Sequence, residues 1–221
     1  MNTCFAPSRW ASLATVAAVA LASTLVACSS GSGSPAGGGD AGDAGGLPPA
    51  APQTYVGTID KTDAAAGLVS ANGSTLLFFC GGPQTYTTLT HWMQGSAAVD
   101  GPFTLTDGTW TAKGQPSGGG LSGTIDPGGG QPQLTWSVRP VIAGTLEGLY
   151  DAQVDGGMPT LIVMQPSAST PAAGQGAFRL AGAIQQVVPL MPIAWVAGEG
   201  IGVNVTVSGA MQEVFVTRAQ P

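Results

Sequence analysis

Charge is what this chain has least of. Asp, Glu, Lys and Arg make up 8% of its 221 residues, against about a quarter in an ordinary globular domain. The six basic residues, Arg9, Lys61, Lys113, Arg139, Arg179 and Arg218, stand apart in sequence, and the net charge is -6. A phosphate-binding surface needs clustered Lys and Arg, so nucleic acid is excluded as a partner. Histidine occurs once, as His91, and cysteine three times, as Cys4, Cys28 and Cys80. A His/Cys metal site needs more ligands than these supply. The acidic stretches "DAGDAGG" and "TIDKTD" lack the ligand count and closing glutamate of a calcium loop. No metal and no cofactor is expected. The chain also has no GxSxG elbow, no P-loop and no GxGxxG opening a helix, the signatures of common hydrolases and nucleotide binders. No carboxylate pair stands in an acid–base setting. No catalytic residue is assigned. The enzyme reading shrinks to a hydrolase built on His91, weighed against His91 as a polar strand residue beside a core Trp92.

What is abundant is glycine, at 35 residues, with an apolar fraction of 43%. This combination predicts many short strands joined by tight turns, and not a disordered chain. Period-2 alternation bears this out locally. In "QLTWSVR" (133–139) Leu134, Trp136 and Val138 share one face, and in "IGVNVTVS" (201–208) Val203, Val205 and Val207 do the same. Both read as half-buried antiparallel strands. Turn signals fall between such runs: "NG" at 72–73 and "DG" at 107–108 suit two-residue hairpins. "DPGGG" (126–130) and "DGGM" (155–158) are further joints. About a dozen strands and no convincing helix are expected. The fold class is all-β, an antiparallel meander forming a closed or nearly closed barrel, with a two-sheet sandwich as the alternative. Closure would also hide strand edges that so few charges cannot protect. "LLFF" (76–79) and "LIVM" (161–164) are apolar on both faces, which predicts cover on both sides. "GTID" occurs at 57–60 and 123–126 and raises an internal duplication that four residues are too few to carry. The Pro-rich "QPSASTPAAGQG" (165–176) reads as a loop or boundary. An outer-membrane barrel would need strands of about 9–11 residues with aromatic girdles, longer than those read here.

The amino-terminal region has a different character. Residues 1–10 carry one arginine, and "ASLATVAAVALASTLV" (11–26) is apolar and uncharged, an n-region and h-region of signal-peptide form. The run is shorter than the ~20 residues of a membrane span. "ALA" at 20–22 fits ordinary signal peptidase. "LVAC" at 25–28 resembles a bacterial lipobox at all four positions. That resemblance implies a lipoprotein: a diacylglyceryl group on the Cys28 sulfur, cleavage between Ala27 and Cys28, and acylation of the new amino group, with palmitate as a typical chain. A thiolate is the nucleophile such chemistry needs, and two or more acyl chains hold a protein firmly to a membrane. Ser29, where an aspartate would signal inner-membrane retention, favours the outer membrane in a Gram-negative cell. Residues 29–52 contain eight Gly, five Ala, four Ser and four Pro. Such a segment reads as a flexible linker with a reach of roughly 25–30 Å.

Three regions follow: a signal peptide over 1–27, a lipidated Cys28 and linker over 28–52, and an all-β domain over 53–221. The layout "YVGTID…LLFFCGG…HWMQG…GLYDA" is similar to small all-β domains of bacterial envelope proteins, a resemblance that implies an envelope location and no particular activity. The expected partner is a membrane, through the lipid anchor, with a structural or binding role for the β domain. The alternative is a small-molecule or lipid carrier with a barrel cavity. His91 and Trp92 are the candidate ligand-facing residues. The other aromatics, Trp110, Trp136, Trp195, Tyr55, Tyr86 and Tyr150, read as core, with a ligand mouth as the competing role. With Cys28 modified, Cys80 has no disulfide partner and reads as a small buried apolar residue.

Overall fold

A computed structural model describes residues 52–221. The signal peptide, the Ala27–Cys28 cleavage point, the Cys28 lipid site and all but the last residue of the linker lie outside the described residues. The fold is all-β, as the alternation predicts, but the meander closes twice, into two barrels side by side.

The first barrel uses eight strands: β1 (Gln53–Ile59), β2 (Ala65–Ala71), β3 (Ser74–Cys80), β4 (His91–Ser96), β5 (Phe103–Asp107), β6 (Trp110–Ser117), β7 (Gly120–Asp126) and β8 (Leu134–Pro140). A one-turn helix, α1 (Tyr86–Leu89), interrupts the chain between β3 and β4. Each strand pairs antiparallel with the next, and β8 returns to β1, through pairs such as Gly57↔Val138. Only β4 and β5 share no ladder, so the barrel is nearly closed with one seam. The second barrel uses β9 (Gly148–Asp151), β10 (Gly157–Met164), β11 (Ala173–Leu180), β12 (Ala183–Pro189), β13 (Trp195–Val196), β14 (Gly200–Val207) and β15 (Ala210–Arg218). Six of these form a ring that the pairs Val188↔Asn204 and Pro189↔Val203 close, and β13 adds a short flap on β14.

Local chemistry explains the turns. Asn72 and Gly73 both have positive φ (53° and 76°), which is the type I′ requirement that "NG" meets at least cost. The "DG" hairpin is displaced by one residue from the sequence expectation. Asp107 pairs with Trp110, so the loop is Gly108–Thr109, and of these Gly108 has positive φ. The repeated "GTID" also gains a physical reading. A Cβ at Gly57 would lie 2.0 Å from the Ser137 carbonyl oxygen, and one at Gly123 would lie 1.8 Å from that of Lys113. Both glycines pair with β8, one from each side, so the repeat reflects one solution to tight strand approach. Among the described residues fifteen strands replace the expected dozen. The Pro-rich 165–176 divides into a loop over 165–172 and the start of β11.

Three cores hold the molecule together. Leu68, Leu77, Phe79, Met93, Ile125 and Trp136 fill the first barrel. Tyr150, Phe178, Ile201, Val203, Val205 and Val216 fill the second. Between them lies a third apolar layer in which Val69, Leu76, Phe78 and Cys80 of the first barrel meet Leu149, Ile162 and Ala177 of the second. This layer accounts for the strands apolar on both faces. Leu77 and Phe79 point into the first barrel while Leu76 and Phe78 point at the second. At about 25 cal/mol per Å² of apolar surface, each such buried side chain contributes roughly 1.5–3 kcal/mol.

Polar contacts fix how the barrels dock. Trp92 Nε1 donates to Thr160 Oγ1 at 2.9 Å across the buried layer. The Gln175 amide donates to the Asp63 carbonyl (3.0 Å) and accepts from the Ala65 N–H (3.0 Å), bonding to the first barrel's backbone as a strand would. In the connection from β8 to β9, the fully buried Glu147 carboxylate receives Arg139 in a bidentate pair (2.6 and 2.7 Å) and the N–H groups of Ile142 and Gln165 (both 3.0 Å). Its partners thus come from the first barrel, the connection and the second barrel.

Candidate functional site

Two hollows deserve comparison. The larger, about 590 Å³, lies on the free outer wall of the first barrel, over β5 to β8. Its outward side chains, among them Thr104, Lys113, Gln115, Thr135 and Ser137, are exposed. These groups are open to solvent, and Thr135 Oγ1 also donates to Asp60 at 2.7 Å. The second, about 530 Å³, is a cleft where the two barrels meet. Both volumes fall in the range of ordinary ligand sites, so the polar chemistry has to decide between them. The cleft contains buried polar atoms without partners, and such atoms are costly to leave unmet.

The cleft is built from three places in the chain. The seam of the first barrel contributes His91 at the start of β4 and Asp107 at the end of β5. Helix α1 contributes Tyr86 and Thr87, and the β11–β12 hairpin of the second barrel contributes Arg179, Leu180, Gly182, Ala183 and Ile184. Antiparallel approach of β4 and β5 sets His91 against Asp107, with Nε2 3.1 Å from Oδ2. The approach is close enough for an ion pair but lacks hydrogen-bond geometry, and Nε2 is buried without a hydrogen-bond partner. The imidazole stacks on Trp110 at 4.2 Å with planes 8° apart. His91 therefore bridges the seam with side-chain contacts where the backbone ladder is missing.

Burial pushes the His91 pKa down, Asp107 pulls it back up and Arg179 pushes it down again, leaving it below the ordinary histidine value. The imidazole is accordingly neutral near pH 7. Burial likewise holds the Tyr86 phenol protonated, its pKa raised well above the ordinary value. The Tyr86 hydroxyl is also buried without a partner. Arg179 is exposed, sits 5.5 Å over the Trp92 ring and has no carboxylate within ion-pair distance among the described residues.

The two residues expected from sequence to face a ligand are thus placed in one cleft, in different roles. His91 directs its Nε2 at Asp107 Oδ2, 3.1 Å away, without completing a hydrogen bond. Trp92 is 5% exposed. One of its faces stacks on Phe78 at 4.7 Å and Arg179 lies over its ring, so it serves as wall and not as a stacking platform. Sequence reasoning missed Asp107, treated as a turn residue, and Arg179, treated as one more isolated cation. Tyr86 stood only among the aromatics. The remaining aromatics divide: Trp136 is core at 1% exposure, Trp110 is half-buried at the seam, and Trp195 is 47% exposed. Cys80 is a free thiol buried between the barrels, and burial raises its pKa to about 12.

No serine or cysteine lines the cleft beside the His91–Asp107 pair. Among the described residues no group of three or more His, Cys, Asp or Glu is placed to hold a metal, and no helix is long and apolar enough to cross a membrane. Comparison of the chain with protein-family models, with curated proteins and with solved structures returns no match.

Proposed function

We propose that this protein is a lipid-anchored bacterial cell-envelope lipoprotein whose twin-barrel unit serves as a binding module, with the cleft between the barrels as its site. The anchor rests on one observation, "LVAC" at 25–28 between an apolar run and a Ser/Gly tract. A triacylated Cys28 would hold the chain at a membrane surface, and the linker that follows would let the β unit reach roughly 25–30 Å from it. Ser29 favours the outer membrane if the cell is Gram-negative. The binding role rests on the unmet polar atoms of the cleft. Both barrel interiors are filled by their own side chains, which favours this surface site over cargo carried inside a barrel.

The anchor is tested by growing cells with radioactive palmitate and fractionating them. The expected result is a labelled, membrane-bound wild type and an unlabelled Cys28→Ala variant. A wild type that takes up no label overturns the lipoprotein reading.

A further inference from the structure

We propose that the flap over one end of the second barrel is a membrane-contact surface, with Val188, Met191, Trp195 and Val196 seated at the boundary between lipid headgroups and acyl chains. This gives the anchored chain a second point of contact with the membrane and rests on the lipid-anchor reading above.

Seven large apolar side chains are exposed among the described residues, and these four fall between positions 188 and 196. Exposed apolar residues that cluster mark a docking surface, whereas scattered ones are ordinary. No Asp, Glu, Lys or Arg occurs from Leu180 to Gly198, so no charge interrupts the cluster along the chain.

The exposure is built in. The flap strand β13 pairs with β14 through Trp195↔Ile201 and Val196↔Gly200, and the Leu190 N–H donates to the Gly202 carbonyl at 3.0 Å. Ile193 turns inward and joins the core of the second barrel. Trp195 lies against the buried Tyr150, with ring centroids 6.5 Å apart. Inward side chains thus pin the flap over the barrel end, and its outward ones are held to solvent.

The side chains, the charges and the tether each favour a lipid surface as the occupant. Tryptophan is enriched at the membrane–water boundary, where its ring is half apolar and half polar in its demands. The exposed Arg218 lies over the same Tyr150 ring at 4.6 Å and sets a cation beside Trp195 at headgroup level. The nearest formal charges, Glu199 and Arg218, offset each other, so the contact is apolar and does not depend on anionic lipid. The tether also leaves the fold on this side. Strand β10 ends at Met164, opposite Ala173, and the next residue, Gly174, adjoins Ile193 of the flap. Met164 lines one hollow together with Val56 of β1. Gln53, which the linker joins, is three residues from Val56, about 10 Å along a strand. The linker reach of roughly 25–30 Å therefore lets the flap meet the surface that holds Cys28.

The test uses the full chain carrying Trp10→Phe, purified in nonionic detergent and reconstituted with vesicles of brominated phosphatidylcholine, which quench tryptophan at the acyl boundary. Quenching is expected, and Trp195→Phe should remove most of it, since Trp92 and Trp136 are buried. Met191→Asp, at a position 72% exposed, should lower it at least about twofold, because interfacial binding scales with the apolar area inserted. Met211→Asp, at the opposite end of the second barrel, should change nothing. A chain that floats with the vesicles while Trp195 stays unquenched overturns the flap contact and leaves the anchor standing. A chain that does not float overturns the contact as well. Quenching that requires added phosphatidylglycerol overturns its apolar basis. A photoreactive side chain in place of Met191 that crosslinks in cells to a protein, or to a second copy of this chain, overturns the lipid assignment. Palmitate labelling reads the anchor and Trp195 quenching reads the flap, so either can fail alone.

Discussion

The two barrels solve the same packing problem at different diameters. The eight-stranded barrel holds large side chains, Trp136, Phe79, Phe103 and Met93, along its axis. The six-stranded one is narrower, as fewer strands require, and five valines, Val163, Val187, Val203, Val205 and Val216, take up much of its interior. They also finish their rings differently. The second closes with backbone pairs from β12 to β14. The first leaves β4 and β5 without a ladder and spans the seam with His91, Asp107 and Trp110. The lesson concerns where function can sit. A ring closed by backbone has no groups to spare, whereas a ring closed by side chains leaves polar atoms available to something else.

The largest effect should come from the wide barrel's axis. Trp136→Ala removes the biggest fully buried side chain among the described residues and should cost about 3–5 kcal/mol in chemical denaturation. Val205→Ala in the narrow barrel should cost roughly 1–2 kcal/mol. Equal costs would break the comparison. An intermediate effect is expected at the connection. Glu147→Gln leaves Arg139 without its counter-charge, and since Arg139 is 47% exposed the cost should lie near 3 kcal/mol, the low end for a broken buried pair. Because Glu147 bonds to both barrels, this variant should also separate their unfolding transitions, read by Trp fluorescence and far-ultraviolet dichroism. Coincident transitions would show that the apolar layer couples the barrels unaided.

The smallest effect is a pH dependence with a definite sign. Burial sets the His91 pKa below its unfolded value near 6.5. As pH falls through 6.5 the unfolded chain takes up a proton that the folded chain refuses, so stability drops. For Glu147 burial pushes upward, but Arg139 and the two backbone N–H groups pull further, leaving it below the ordinary 4.5. Its contribution is therefore lost at lower pH, with the same sign. Asp151, raised by burial, opposes them. Thermal melts should thus show stability falling in a first step below pH 6.5. His91→Ala should remove that step and leave the lower one; a wild type whose melting temperature is level from pH 7 to pH 5 contradicts the assignment.

Much of the fold was legible because a strand writes its buried face into every second residue, as in "QLTWSVR" and "IGVNVTVS". The second barrel was not legible as such. Its strands carry the same alternation as the first, and the connection "VIAGTLE" (141–147) has the look of any other loop. The strands apolar on both faces were the available clue, and they revealed that a cover exists without saying what it is. The site was half legible for a similar reason. His91 and Trp92 are distinctive residue types, but Asp107 and Arg179 reach them only through the approach of β4 to β5 and the docking of β11, relations that no local pattern records.

Cys80 turns the joint between the barrels into a clock. Its sulfur is packed where the two outer walls meet and is held as an unreactive thiol, so a thiol reagent can reach it only in moments when the walls part. The labelling rate of this one atom then counts the openings of the joint, and substitutions at Gln175, Thr160 or Glu147 can be ranked by how much they quicken it.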